Sequence, residues 1–283
     1  RSREGPMTTG FADLHLHTLY SDGSDTPERV VERAMEAGVS ALAITDHDTV
    51  EGVAAAAEAA KRAGLRFLSG TELSAHFDHG DVHILGLGVQ IDAPPLLESL
   101  DRMRASRAQR AERILERLAA RGMPISLDAT AHDGVVGRMH IAQALLAAGH
   151  VKSVQQAFDK FLQRGKPGYV AQVKMECATA IDVIHAAGGL AFIAHPGIGA
   201  PKRKLSSLLE MPFDGLEAYH SKHSPGLSEM LSQLALDRGL LITGGSDCHG
   251  EVKGKAEMGR VRLPLHYFDR ICDALATRGA VTS

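Results

Sequence analysis

The apolar positions change period along the chain, and the changes mark out its elements. "GFADLHLHT" (10–18) alternates apolar and polar residues and reads as a strand. "TPERVVERAMEAG" (26–38) switches to helical spacing, with Thr26 at the N-cap, Pro27 in the first turn and Gly38 past the end. A strand over 39–48, a helix over 49–64 closed by Gly64, and strands over 65–75 and 82–89 follow. This strand–helix–strand order predicts parallel pairing with right-handed crossovers.

The pattern then changes. Residues 95–165 read as helix only, and the Arg and Glu of "ESLDRMRASRAQRAERILERLAARG" recur at helical spacing as a mostly solvated face. After "RGKPGYV" the alternation resumes, with helices over 176–187, 203–210, 225–238 and 265–278 and strands over 190–197, 213–220 and 240–250. The expected architecture is an α/β barrel-like domain over 11–95 and 166–283, interrupted by an all-helical insertion over 96–165. Residues 1–10 carry no such pattern and read as a disordered tail, or one left by cloning, around a natural start at Met7.

Composition narrows the classes. With 283 residues, 44% apolar and 23% charged, the chain reads as an ordinary globular protein with one sizeable core. No apolar run approaches the roughly 18 residues that a bilayer span needs, and the basic start lacks the apolar stretch of a secretory signal. Three dispersed cysteines, Cys177, Cys248 and Cys272, imply no disulfide framework and fit a reducing cytoplasm. A net charge of −3 argues against wrapping duplex DNA. Nothing in the chain points to a membrane or to an obligate protein partner.

Histidine usage changes the picture: 15 histidines stand against 4 tyrosines and no tryptophan. They collect at the C-terminal ends of predicted strands: His15 and His17, His47, His83, His195, His220 and His223, and His249, with Glu72 and Asp247 in equivalent places. In parallel α/β barrels those ends and the loops beyond them build the active site. Side chains at i and i+2 on a strand share a face, roughly 6.5–7 Å apart along it. His15 and His17 can therefore converge on one ion, with Asp13 behind an imidazole; Asp247 and His249 repeat the spacing. Glu72 offers two oxygens and can bridge two ions. His76, His79, His132, His150, His185 and His266 fit no such pattern and read as surface or packing residues, and Cys248 reads as packing. Mixed imidazole and carboxylate donors suit Mn²⁺, Zn²⁺ or Fe²⁺. So many donors imply two or three ions, and such clusters activate water for attack on phosphorus.

"DLHLHT…SDG", "ITDHD", "GTELS", "VHILGLG", "IAHPG" and "GGSDCHG", in this order, resemble the polymerase and histidinol phosphatase (PHP) superfamily. The resemblance implies a distorted (β/α)7 TIM-like barrel and metal-dependent phosphoesterase activity, with Mn²⁺ the first choice of ion. Carried over, it implies His15, His17, Glu72 and Asp247 on a first ion, Glu72, His83 and His195 on a second, and His47, His249 and Asp22 on a third. Asp22 is also a candidate catalytic group, Ser21 faces substrate, and Asp13 and Asp46 stand behind the ligands. "GRMHIAQALLAAGHV…AFDKFLQRGKPGYV" resembles a bacterial branch acting on nucleoside 3′,5′-bisphosphates or trimming the 5′ ends of short RNA. There the insertion forms a lid, which makes Arg138, His140 and Lys166 phosphate ligands and His223 a substrate-facing histidine that donates a proton to the leaving oxygen. The expected partner is thus a nucleotide or a short RNA end. Two alternatives are a histidinol phosphate phosphatase and a non-catalytic metal-binding module.

Overall fold

Thr26 ends the first loop by accepting a hydrogen bond from the Arg29 backbone N–H, and α1 (Pro27–Glu36) starts there. The computed structural model describes residues 10–78, 80–127, 137–197, 202–251 and 258–279. Residues 1–9 of the expected tail, together with His79 and His132, lie outside them. Helix α2 is shorter than its pattern: Val53–Ala63, with residues 51–52 forming a turn before it and Gly64 left-handed at φ 69° as its C-cap.

Two sheets form. β1 (Phe11–Asp13), β2 (Val39–Ala43) and β3 (Arg66–Leu68) are parallel, and β10 (Leu263–Pro264) adds antiparallel to β1. The second sheet runs β6 (Met175–Glu176), β4 (Gly70–Phe77), β5 (Gly80–Leu87), β7 (Leu190–Ile193), β8 (Gly215–His220), β9 (Leu241–Gly245). β7, β8 and β9 are parallel as expected. The pairs β4–β5 and β5–β7 are antiparallel, against expectation. Residues 78–79 alone join β4 to β5, too short a link for a parallel crossover. The single strand expected over 65–75 breaks at Ser69, whose hydroxyl donates to the Val89 carbonyl at 2.6 Å.

The strands also stop earlier than their apolar patterns. His15 and His17 lie beyond the end of β1, and His47 beyond β2. Backbone hydrogen bonds tie these extended tips together across both seams between the sheets. Leu14 N–H donates to Gly244 O, Asp247 N–H to His15 O and His17 N–H to Cys248 O, each at 3.0 Å. Thr45 N–H donates to Leu16 O at 2.9 Å between the tips of β1 and β2, and across the second seam Glu72 N–H donates to Asp46 O at 3.0 Å. Gly245 is required at the first seam: a Cβ there would lie 2.4 Å from the His15 backbone nitrogen.

Helices α6 (Cys177–Ala186), α7 (Lys202–Leu208), α8 (Pro225–Asp237) and α9 (Leu265–Arg278) complete the α/β part. Leu14, Leu16, Leu42, Ile44, Phe192 and Phe268 form the centre of its core. Between β5 and β6 come α3 (Pro94–Ala119), α4 (Arg138–Ala147), α5 (Val154–Ala157) and a π-helical turn over Phe158–Leu162, while residues 123–127 are not helical. Ile114, Leu118, Ile141, Leu145 and Leu162 bury themselves in a second, separate core. α3 serves both cores, with Leu96 and Leu100 in the first and Ala111, Ile114 and Leu118 in the second. At 26 residues it spans about 39 Å.

Candidate metal centre and substrate cavity

Glu72 is the hub. It sits on β4 with 1% exposure, and its two oxygens face different partners. Oε2 lies 3.2 Å from His15 Nε2, 3.3 Å from His17 Nε2 and 3.0 Å from His47 Nδ1. Oε1 lies 2.8 Å from His83 Nδ1 and 3.1 Å from His195 Nε2. Burial alone would push the Glu72 pKa up, but His47, His83 and His15 outweigh it and hold the carboxyl well below its ordinary range. Asp247 is held low in the same way, with burial overcome by His17 and His220. Its Oδ1 lies 3.2 Å from His17 Nε2, 3.7 Å from His15 Nε2 and 3.6 Å from His249 Nδ1. Asp22 Oδ1 lies 3.0 Å from His249 Nε2 and 3.8 Å from His47 Nε2.

These atoms are close without being satisfied. Among the described residues, His15 Nε2, His17 Nε2, His47 Nδ1 and Glu72 Oε2 are buried and make no hydrogen bond. A buried polar atom left so costs about 1–3 kcal/mol, and a shared cation removes that cost. Four donor sets have ligand atoms within 4.8 Å of one another: His17, Asp22, His47 and His249; His15, His17 and Asp247; His47, Glu72 and His83; and His15, Glu217 and His220. Donor chemistry and geometry both fit divalent cations.

Glu217 was not among the expected donors, and His220 was expected at the rim but assigned to no ion. Glu217, fully buried on β8, accepts from His15 Nδ1 at 2.9 Å through Oε1 and from the His195 backbone N–H at 2.6 Å through Oε2. The first bond leaves Nε2 as the free donor atom of a neutral His15 ring. The second holds His195, whose φ of 31° is left-handed. His220 Nε2 lies 3.5 Å from Asp247 Oδ2. The only signal in the chain was "GLEAYH", and a lone Glu in a strand names no partner.

Asp13 does not stand behind an imidazole. Its Oδ1 accepts from the Ser246 backbone N–H at 2.9 Å, and burial raises its pKa to about 6. Asp46 is fully buried and accepts from Thr18 N–H at 2.7 Å, from the Thr18 hydroxyl at 2.6 Å and from the Ser21 hydroxyl at 2.5 Å, which pins the 18–22 turn. Ser21 still lines the cavity. His185 pairs with Asp214 at 2.7 Å, and neither residue belongs to the cluster.

A cavity of about 250 Å³ opens beside the cluster. Asp22, His47 and His83 line one side, and Arg107, Arg110, Arg138 and Lys174 also line it. Arg138 donates to Leu162 O at 3.4 Å and Arg110 to Val170 O at 2.8 Å. Burial, then repulsion from Arg138 and Arg107, brings the Arg110 pKa down to about 10, so the group stays charged at neutral pH. Arg107 binds the Asp48 carboxylate and donates to Ser74 Oγ at 2.9 Å, which ties α3 to the residues following His47 and Glu72. The expected solvated face of α3 is therefore partly turned inward. His140 is buried, and its Nδ1 accepts from the Gly137 N–H at 3.0 Å as an N-terminal cap. Lys166 is exposed and outside the cavity lining; Lys174 is the lysine found there.

His223 donates Nδ1–H to Ala218 O at 3.0 Å, and burial lowers its pKa. In the neutral tautomer that this bond selects, Nε2 is an acceptor.

The PHP-domain family model matches residues 13–169. The chain is 40% identical over 247 residues to the 5′-3′ exoribonuclease Rnm of Escherichia coli, covering 84% of each. It is 36% identical over 256 residues to a 3′,5′-nucleoside bisphosphate phosphatase of Chromobacterium violaceum, covering 87% of this chain and 90% of that protein. A solved structure of a protein assigned as a metal-dependent phosphoesterase, from Bifidobacterium adolescentis, superposes with a TM-score of 0.86 and 31% identity over 94% of this chain and 96% of that one.

Proposed function

From the premise that the chain belongs to the PHP-domain family and is a metal-dependent phosphoesterase, we propose that it hydrolyses phosphate esters of nucleotides, the 3′-phosphate of a nucleoside 3′,5′-bisphosphate or the 5′ end of short RNA. The observation that carries this reading is the shared cavity, where Asp22, His47 and His83 meet Arg107, Arg110, Arg138 and Lys174. Ligand-type side chains place one phosphate, and Arg110 and Arg138, beside Arg107 and Lys174 that pair with Asp48 and Asp81, offer a seat for a second. Two close relatives are named for these two activities. A non-catalytic module does not fit the enzyme family.

His15, His17, His47, His83, His195, His249, Glu72, Asp22 and Asp247 would hold two or three divalent ions, Mn²⁺ first and Zn²⁺ or Fe²⁺ after it. Bound there, such ions supply Lewis acidity and lower the pKa of a coordinated water. The chain's own part is placement. Arg138 and Arg110 orient the anionic end, Arg as a fork and Lys174 as a point charge. Glu217 keeps His15 in one tautomer, and Asp46 keeps Ser21 and the 18–22 turn in place. The three dispersed cysteines Cys177, Cys248 and Cys272 suit a cytoplasmic setting, and no helix of the described residues is long and apolar enough to cross a membrane.

The deciding assay compares adenosine 3′,5′-bisphosphate, histidinol phosphate and a 5′-monophosphorylated oligoribonucleotide, with and without EDTA. The reading expects EDTA-sensitive turnover of the first or third. Preferred turnover of histidinol phosphate would overturn the substrate, and EDTA-insensitive turnover the metal role.

A further inference from the structure

A second cavity, of about 460 Å³, is lined in part by His220 of the cluster. It shares no lining residue with the basic cavity and meets the cluster at His220, whose Nε2 is 3.5 Å from Asp247 Oδ2. Its volume suits a small organic ligand. The Tyr219 ring lines it, backed by Tyr267 at 5.9 Å between centroids, and Leu236 adds an exposed apolar edge. Arg260 and Arg262 bring two guanidinium groups, against the one carboxylate of Glu229. Ser232, only 9% exposed, has a hydroxyl without a hydrogen bond, and the acceptor Nε2 of His223 is likewise unused.

An aromatic face, paired guanidinium groups and unused hydroxyl-seeking atoms are the chemistry that single-stranded nucleic acid sites employ. A mononucleotide bisphosphate has no need of such a place, because nothing lies beyond its scissile 3′-phosphate. A strand with its 5′ end in the basic cavity must continue past the cluster, and the second cavity lies next to it. Resting on the nucleotide phosphoesterase reading above, we propose that the cavity between α8 and the 260–262 segment seats the nucleotide on the 3′ side of the scissile bond in single-stranded RNA. The base lies against Tyr219 and Leu236. Arg260 and Arg262 take the following phosphate, and Ser232 and His223 meet the ribose hydroxyls.

The test uses the full chain loaded with Mn²⁺ and two probes, adenosine 3′,5′-bisphosphate and a 5′-monophosphorylated hexaribonucleotide. Replacing both arginines, Arg260→Ala with Arg262→Ala, raises KM for the hexanucleotide about tenfold and leaves that for the bisphosphate within about twofold. Arg262 also lies over the Phe11 ring at 5.0 Å, so a second variant avoids any loss of packing. Glu229→Gln removes the opposing charge on the exposed face of α8, lowers KM for the hexanucleotide and again spares the bisphosphate. The salt dependence of hexanucleotide KM becomes shallower in the arginine variant. If both variants leave the ratio of the two KM values at the wild-type figure, the cavity is not an RNA seat, while bisphosphate turnover still upholds the phosphoesterase reading. If wild type turns over neither probe, that reading fails and this proposal fails with it.

Discussion

At the scale of single residues, the site depends on who holds each donor atom. Replacing Glu72 by Gln removes the carboxylate that faces five imidazoles. The expected result is loss of at least one bound ion per chain, read by elemental analysis, and at least about a hundredfold drop in kcat. Glu217→Gln is a subtler change. It keeps the shape but no longer fixes the His15 Nδ1–H tautomer, and metal affinity should fall by about 10–100-fold with little change in substrate KM at saturating metal. Competition with a fluorescent chelator measures it. Protonation adds a third expectation. Burial would depress His17, but Asp247 and Glu72 outweigh it and raise its pKa to about 9. At pH 7 the metal-free ring therefore carries a proton that an ion must displace. Metal binding should release protons, seen in titration calorimetry as an enthalpy that changes with buffer ionisation heat, and affinity should fall as pH falls.

Among elements, the link between α3 and the cluster matters most. Asp48, fully buried with a left-handed φ of 53°, accepts from the Ser74 N–H at 2.7 Å and binds Arg107. Arg107→Ala leaves that carboxylate buried and unpaired, which costs about 3–5 kcal/mol in a denaturant melt and raises KM through the loss of a cavity cation. Arg107→Met tests the same contact with a smaller solvation penalty on α3 itself. The apolar periods made α1, α6, α8 and α9 legible, because each has one buried stripe and clear end signals. They did not disclose the β4–β5 hairpin or the early strand ends. Pairing direction depends on link length and on which neighbour supplies the hydrogen bonds. In the charged run of α3 the spacing identified a helix, but which arginines turn inward depends on the second core that Ile114 and Leu118 join.

For the molecule as a whole, the cluster closes the two seams between the sheets, so metal and fold should be coupled. Metal-free protein is expected to melt lower than the loaded form. Saturating Mn²⁺ at a hundred times its Kd adds about 2.7 kcal/mol, and differential scanning calorimetry before and after EDTA reads it. Gly245→Ala attacks the same seam, since its Cβ would lie 2.4 Å from His15 N and His15 Cβ. The expectation is about 3 kcal/mol of destabilisation, with metal content reduced in whatever remains folded.

Residue types and their order are legible along the chain. Paired donors at i and i+2, a bridging glutamate and repeated apolar strands announced an α/β phosphoesterase with a rim of ligand-type side chains. Those signals are local, because period and spacing are properties of neighbouring residues. Which donors share a point in space follows from the folded arrangement, which sets Glu217 against His15 across 202 residues of chain. It also moved Asp13 onto the Ser246 backbone and chose Lys174 over Lys166 for the cavity. Long-range proximity comes from closing the sheets against one another, and no period in the chain encodes where that closure brings two distant side chains together.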